Sequence, residues 1–461
     1  GEPRLIHQAK LSAACAALSA DASTMVIMTK ERSGSLDFNL LAFDVASGDQ
    51  IAELWDEGGS IQAVGFTPGD ARLLANTNQS GAYRPVIWNP RSGERIDLAL
   101  DELDGEVTAL DWSPDGKRIL LSQMSNAVQR LYTYDLTTQT LTALDHPAGV
   151  FGSSWLPGVY FLSDEEIVAA WQSSAQPHCV IALDSHTGQI TRELIPASEQ
   201  PASRPRTSIT FASSDGQAVQ AWLITPEGEG PFPTIIHTHG GPFLVDTDVY
   251  YPSAMMWVDH GFAWCSVNYR GSTTFGKAFQ DKILHDLGHW EVEDVVAAHQ
   301  WLVENKIAKP DQVLFTGRSY GGFMTLMMLG KTPELWAGGM GRVAISDWAI
   351  NYEDSSPLLQ SAFKTWLGGT PDEQPERYQK SSPITYAENV RAPLLIIQGR
   401  NDTRTTARQI EIYEQQMRAW GKEIEVVWFE AGHMANYVDA RLDIAHHQLM
   451  LDFALKVLGR A

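Results

Sequence analysis

Short apolar runs alternate with polar turns along residues 1 to about 200, and the breaks between them recur. The turns Ser19-Ala20-Asp21, Thr67-Pro68-Gly69 and Ser113-Pro114-Asp115-Gly116 begin 48 and 46 residues apart, and apolar runs follow at 25–28, 72–75 and 118–121. A second run in each copy ends in one phrase: Phe43-Asp44-Val45-Ala46-Ser47-Gly48, Trp88-Asn89-Pro90-Arg91-Ser92-Gly93 and Tyr134-Asp135-Leu136-Thr137-Thr138, with a fourth at Leu183-Asp184-Ser185-His186-Thr187-Gly188. A period in the forties with several short strands per unit predicts β-propeller blades rather than an irregular sandwich. About four blades are visible, the lower limit of the roughly four to eight that close a propeller, so this one is small or incomplete.

The pattern changes after the proline-bearing stretch Glu199-Gln200-Pro201-Ala202-Ser203-Arg204-Pro205. Runs at 208–211 and 218–225 flank the turn Ser214-Asp215-Gly216 and predict a hairpin. Continuous apolar runs then appear at 234–238, 262–267, 313–316, 343–345, 394–398 and 426–429, with helical periodicity between them, as at 290–305 and 405–420. Such alternation predicts a mostly parallel sheet covered by helices on both faces, with function at the carboxyl ends of its strands. Two domains result, 1–200 and 201–461.

Candidate chemistry falls at those strand ends. Gly317-Arg318-Ser319-Tyr320-Gly321 joins the 313–316 run to a helix-compatible run, the strand, turn and helix of a nucleophile elbow. Asp402 follows 394–398 and His433 follows 426–429. The order Ser, Asp, His is that of the α/β-hydrolase fold, and the roles follow from chemistry: a serine hydroxyl needs a base, here His433, and the base needs an orienting carboxylate, here Asp402. Asp347 is a rival acid because it also follows a run, while His446 and His447 fall in a predicted final helix. The oxyanion calls for backbone donors. Tyr320, next to the nucleophile, supplies one, and Gly241 in His239-Gly240-Gly241-Pro242 the other.

Further residues near these ends are expected to touch substrate or to shape loops. Arg270 lies in Asn268-Tyr269-Arg270-Gly271. Trp348, Tyr352, Phe363 and Trp366 are either an apolar pocket or plain core. Arg400, Arg404 and Arg408 could hold a carboxylate, and Asp164-Glu165-Glu166 reads as a solvated face.

Composition removes some classes. With 44% hydrophobic residues the chain can bury large cores, and a net charge of −22 argues against a nucleic-acid partner. Cys15, Cys179 and Cys265 are odd in number and lack metal-ligand spacing. No run is long enough to span a membrane. A cytoplasmic setting is expected, although Gly1 rather than Met at the start leaves room for a removed N-terminal signal.

Together the motifs at 239–242, 268–276, 317–322, 399–402 and 432–433 resemble the prolyl oligopeptidase family of serine peptidases, its acylaminoacyl-peptidase branch above all. The resemblance covers 205–461 by motif and the propeller by architecture only. It implies hydrolysis of short peptides behind a propeller that restricts access, and Ser319, Asp402 and His433 as the triad. It further implies Tyr320 and Gly241 as oxyanion donors, an apolar pocket at Trp348 and Tyr352, and no metal or organic cofactor. Two departures stand out: four blades where the family has seven or eight, and no double-Glu motif of the kind with which dipeptidyl peptidases hold a free amine. An esterase using the same triad, or a catalytically silent propeller scaffold, are the alternatives. A homo-oligomer would cover edge strands or an open propeller.

Overall fold

The computed structural model describes all residues except 1–3, 11–12, 34–36, 153–157, 202 and 461, and the side chains of residues 15 and 16. The Cys15 thiol and the linker residue Ala202 therefore lie outside the described residues. Two compact units emerge. The first is Gly1–Ser203 with the short segments Thr247–Tyr250 and Thr274–Ala278, and the second is Arg204–Asp246, Tyr251–Thr273 and Phe279–Ala461.

Among the described residues the first unit holds four antiparallel sheets, three of four strands and one of five. The repeated strand-Asp-turn-Gly phrase closes one hairpin in each. Asp44 accepts the backbone N–H groups of Ala46 and Ser47 at 3.0 and 2.9 Å. Asn89 does the same for Arg91 and Ser92, Asp135 for Thr137 and Thr138, and Asp184 for His186 and Thr187. The side chain imitates a backbone turn, and the chain then leaves through a left-handed residue. That residue is Gly48 (φ +84°), Gly93 (+79°) or Gly188 (+83°), with Gln139 (+56°) in the same place in the third sheet.

Strand alternation puts the two faces of each sheet into different cores. Leu73 and Ala75 pack with Val26, Leu40 and Ala42 of the first sheet, while Leu74 faces Val107, Ile119 and Leu121 of the third. Leu120 and Leu131 of the third sheet pack with Phe151, Ile167 and Ile181 of the fourth. Face-to-face stacking of consecutive small sheets is the propeller arrangement. Asp164-Glu165-Glu166 forms a surface turn in which Glu166 pairs with Arg192 at 2.6 Å.

The second unit is built on one eight-stranded sheet flanked by helices, among them Trp290–Glu304 and Tyr320–Lys331. In chain order its strands are β1 Thr207–Ala212, β2 Ala218–Ile224, β3 Phe232–Thr238, β4 Ala263–Asn268, β5 Ala308–Arg318, β6 Gly338–Arg342, β7 Leu394–Gly399 and β8 Ile424–Phe429. They lie in the spatial order β1-β2-β4-β3-β5-β6-β7-β8, antiparallel through β4 and parallel from there on. Ile236, Cys265 and Phe315 point to one apolar layer, and Ile235, Trp264 and Leu314 to the other. The strands are therefore apolar on both sides, which is why their runs are continuous. This is an α/β-hydrolase domain.

The sequence expectation of a strand at 343–345 is corrected. The strand is the glycine-rich β6, and Val343 already turns away with φ +41°. A Cβ on Gly339 would come within 2.7 Å of Leu329 in the helix Tyr320–Lys331 (α2 below). Close helix packing selects glycine here, and glycine hides the strand from a reading based on propensity.

Candidate active site

Strand β5 ends at Arg318 and helix α2 begins at Tyr320, so Ser319 occupies the turn between them with φ 60° and ψ −117°. L-residues rarely adopt this conformation, and it is held by its neighbours. The Ser319 N–H donates to Arg342 O at 2.9 Å and its carbonyl accepts Phe323 N–H at 2.9 Å. Both elbow glycines are required by contact. A Cβ on Gly317 would lie 2.4 Å from Gly321 backbone atoms, and one on Gly321 would lie 2.2 Å from Thr238 O on β3.

Beyond β7 and β8, Asp402 and His433 complete a chain of hydrogen bonds. His433 Nε2 lies 3.1 Å from Ser319 Oγ, and His433 Nδ1 lies 2.7 Å from Asp402 Oδ2. Asp402 is further held by the N–H groups of Arg404 and Thr405 on Oδ1 at 2.8 and 2.9 Å, and by the Thr405 hydroxyl on Oδ2 at 2.9 Å. Burial works against ionising Asp402, but the bonds from His433, Thr405 and Arg404 outweigh it and hold its pKa below the usual value. The His433 pKa is also lowered. Burial is the main cause and Arg318 and Arg404 add to it, while Asp402 opposes them. At neutral pH the ring is thus uncharged. With Nδ1–H donating to the carboxylate, Nε2 is left as acceptor for the serine proton.

Of the rivals, Asp347 caps the helix Trp348–Glu353, accepting the N–H groups of Ala349 and Ile350. His446 packs on Phe429 and bonds Asn436. Neither joins the Ser319 chain among the described contacts.

The His239-Gly240-Gly241 turn at the end of β3 lies against the elbow. A Cβ built on Gly240 would be 3.4 Å from Ser319 Cβ and 3.9 Å from Tyr320 N. The turn is pinned by its own histidine, whose Nδ1 bonds Gly240 O at 2.7 Å and whose Nε2 bonds Ser272 Oγ at 2.8 Å.

Arg270, expected to touch substrate or to shape its loop, is a buried brace of that loop. It is 1% exposed. Its Nε donates to Asp294 at 2.9 Å, one terminal nitrogen to Asp215 at 2.6 Å, and the other to Ser213 at 2.7 Å. These contacts tie the loop after β4 to the β1–β2 hairpin and to helix α1, Trp290–Glu304. Trp348 is fully buried, its ring 6.1 Å from Tyr320, 5.2 Å from Phe363 and 6.1 Å from Trp366. Tyr352 is half-buried and meets Tyr378 at 6.1 Å. Arg400 and Arg408 are paired with Glu411 and Asp354, whereas the Arg404 side chain is exposed in the Asp402 loop with no ion pair among the described residues.

Three contacts escaped the sequence reading. Arg318, the residue before Ser319, donates to the His433 carbonyl and stacks over Tyr437, tying the Ser319 turn to the His433 loop. Thr405 supports Asp402 as described. Glu291 in the first turn of α1 is fully buried and accepts the Tyr320 hydroxyl. Burial pushes the Glu291 carboxyl up to about 7, while bonds from Tyr320 and Gly288 oppose the rise. A Glu three residues after a glycine turn carries no signal by itself. Only the fold brings α1 to the tip of the Tyr320 ring.

Fold and site define an α/β-hydrolase with a serine, a histidine and an aspartate hydrogen-bonded in series, preceded by propeller sheets. Comparison with known proteins is consistent with that class. Residues 249–461 match the prolyl oligopeptidase family, and residues 184–291 match the acetyl xylan esterase (AXE1) family. The hydrolase unit is therefore similar to the prolyl oligopeptidase family over residues 249–461. Among curated relatives, the uncharacterized peptidase YuxL of Bacillus subtilis is 33% identical over 226 residues, 48% of this chain and 34% of that protein. The acylamino-acid-releasing enzyme of Rattus norvegicus is 26% identical over 72% of this chain and 48% of its own length. The chain spans 34% and 48% of the length of these two curated relatives. A crystal structure of puromycin hydrolase superposes with a TM-score of 0.86 at 20% identity, covering 98% of this chain and 70% of that one.

Proposed function

We propose that the chain is a serine peptidase of the acylaminoacyl-peptidase or oligopeptidase type that hydrolyses short peptides through Ser319, His433 and Asp402. The observation that carries this reading is the continuous Ser319–His433–Asp402 hydrogen-bond series at 3.1 and 2.7 Å. Ser319 Oγ attacks the scissile carbonyl carbon as His433 Nε2 takes its proton. The N–H groups of Tyr320 and Gly241 receive the developing oxyanion. The imidazolium, stabilised by Asp402, returns the proton to the leaving amine, and an acyl group remains on Ser319. Water then attacks the acyl carbonyl and loses its proton to His433, which passes it to Ser319 Oγ as the acid departs. Relatives named as a peptidase and as an acylamino-acid-releasing enzyme support the peptide substrate class.

A carboxylesterase is the second reading, and the match to the acetyl xylan esterase family favours it. That match ends at residue 291, before Ser319, so it does not include the residues that would do the chemistry. A mixed peptide library with N-acetylated and free-amine members, assayed beside a panel of esters, separates the readings. Peptide cleavage near one terminus that disappears in Ser319→Ala supports the peptidase. Ester turnover without peptide cleavage moves the assignment to an esterase. Neither activity in a folded chain identifies a silent scaffold.

A further inference from the structure

We propose that Glu291 is a positioning residue for the reaction, holding the Tyr320 backbone N–H in place by accepting a hydrogen bond from the Tyr320 side-chain hydroxyl. The inference rests on the reading above that Tyr320 N–H serves the oxyanion.

Tyr320 is the first residue of α2, so its N–H sits at the helix end next to Ser319 and has no intrahelical partner. Where that N–H points depends on how the residue is held. Its ring is packed among aromatics: Tyr269 stacks at 6.2 Å with a 15° interplanar angle, while Phe323 at 4.8 Å and Trp348 at 6.1 Å meet it tilted at 55° and 50°. Apolar packing of this kind carries no directional bond to the ring. The directed contact is at the tip, where the hydroxyl donates to Glu291 Oε1.

Glu291 is itself fixed. It is 0% exposed, and the Gly288 N–H reaches both its oxygens at 3.1 Å. Gly288 O in turn accepts Lys331 Nζ, from the far end of α2, at 2.7 Å. A buried carboxyl is costly to retain, and no ion pair to Glu291 occurs among the described residues. Its bonds instead join Tyr320 at the start of α2 and Gly288, whose carbonyl in turn holds Lys331 at the close of α2. That accounts for a carboxyl buried at the tip of the Tyr320 ring, whose own neighbours Tyr269, Phe323 and Trp348 are aromatic.

The test compares Tyr320→Phe, Glu291→Leu, their double variant and Glu291→Gln in the full chain, with kcat and KM measured on a substrate that the wild type turns over. Melting curves establish that each is folded at the assay temperature. Loss of that hydrogen bond lowers kcat about tenfold with little change in KM, because displacing a donor affects the transition state more than the ground state. The double variant falls by the same factor as either single one, since both remove one interaction. Glu291→Gln, whose amide oxygen still accepts the hydroxyl, recovers most of the lost rate. Multiplying factors in the double variant, or losses confined to KM, overturn the proposal. So does Tyr320→Phe matching the wild type, a comparison that stands even if Glu291→Leu fails to fold. A wild type that turns over neither peptides nor esters defeats the hydrolase reading itself. An active wild type with indifferent variants defeats only the role of Glu291.

Discussion

Replacing Asp402 with asparagine tests the triad assignment while leaving its shape intact. Asp402 Oδ1 accepts the Arg404 and Thr405 N–H groups at 2.8 and 2.9 Å, and Oδ2 accepts the Thr405 hydroxyl and His433 Nδ1–H at 2.9 and 2.7 Å. Two backbone donors on one oxygen decide how an amide would sit. In Asp402→Asn the side-chain carbonyl oxygen takes the Oδ1 place, and the NH2 group faces His433. An N–H aimed at Nδ1 stabilises the opposite tautomer, with the proton on Nε2, 3.1 Å from Ser319 Oγ. A protonated Nε2 cannot accept the serine proton, and the wrong tautomer costs about 10⁴-fold in kcat, roughly 5.5 kcal/mol. The assay is kcat on an activated ester and on a peptide, with circular dichroism to confirm the fold. A variant retaining more than about a tenth of the wild-type rate would refute the reasoning, because the tautomer argument allows no such intermediate loss.

Three further outcomes are expected. The acid limb of kcat/KM should fall below the ordinary histidine value of 6.5, since His433 must be neutral to act and burial lowers its pKa; activity is present above that pKa and lost as pH drops through it, and a limb above 6.5 would contradict the assignment. Gly321→Ala would drive a Cβ to 2.2 Å from Thr238 O, with backbone on both sides of the clash, and should destabilise the hydrolase unit by about 3 kcal/mol or more in denaturant titration. Arg270→Met leaves Asp294 buried without its partner and should cost about 3–5 kcal/mol of stability while KM of the folded fraction stays unchanged; a raised KM with unaltered stability would return Arg270 to the substrate site.

Features generated by local chemistry were legible in the chain. The Asp or Asn that closes each propeller hairpin bonds backbone groups two and three residues on, so the phrase repeats wherever the hairpin does. The elbow is also local, because its two glycines answer clashes within a few residues or with the adjacent strand. Asp402 and His433 could be placed because each follows a continuous apolar run. Features set by partners far along the chain stayed hidden. Arg270 looked available until the fold supplied Asp294 and Asp215. Strand β6 was missed because its glycines answer to the packing of α2 rather than to strand propensity. Glu291 reads as an ordinary acidic residue in a helix's first turn, and only the neighbouring α2 gives it a hydroxyl to hold. The segments 247–250 and 274–278, which join the first unit, likewise carry no mark in the sequence.

The central claim is that Ser319 is a nucleophile activated by His433. Its most direct test is covalent labelling with a fluorophosphonate, followed by peptide mapping, across a pH series. The account predicts a single adduct on Ser319, formed at a rate that rises with pH through the depressed His433 pKa and is lost in His433→Ala. An adduct on another serine, or a Ser319 adduct whose rate ignores both pH and His433→Ala, would contradict it.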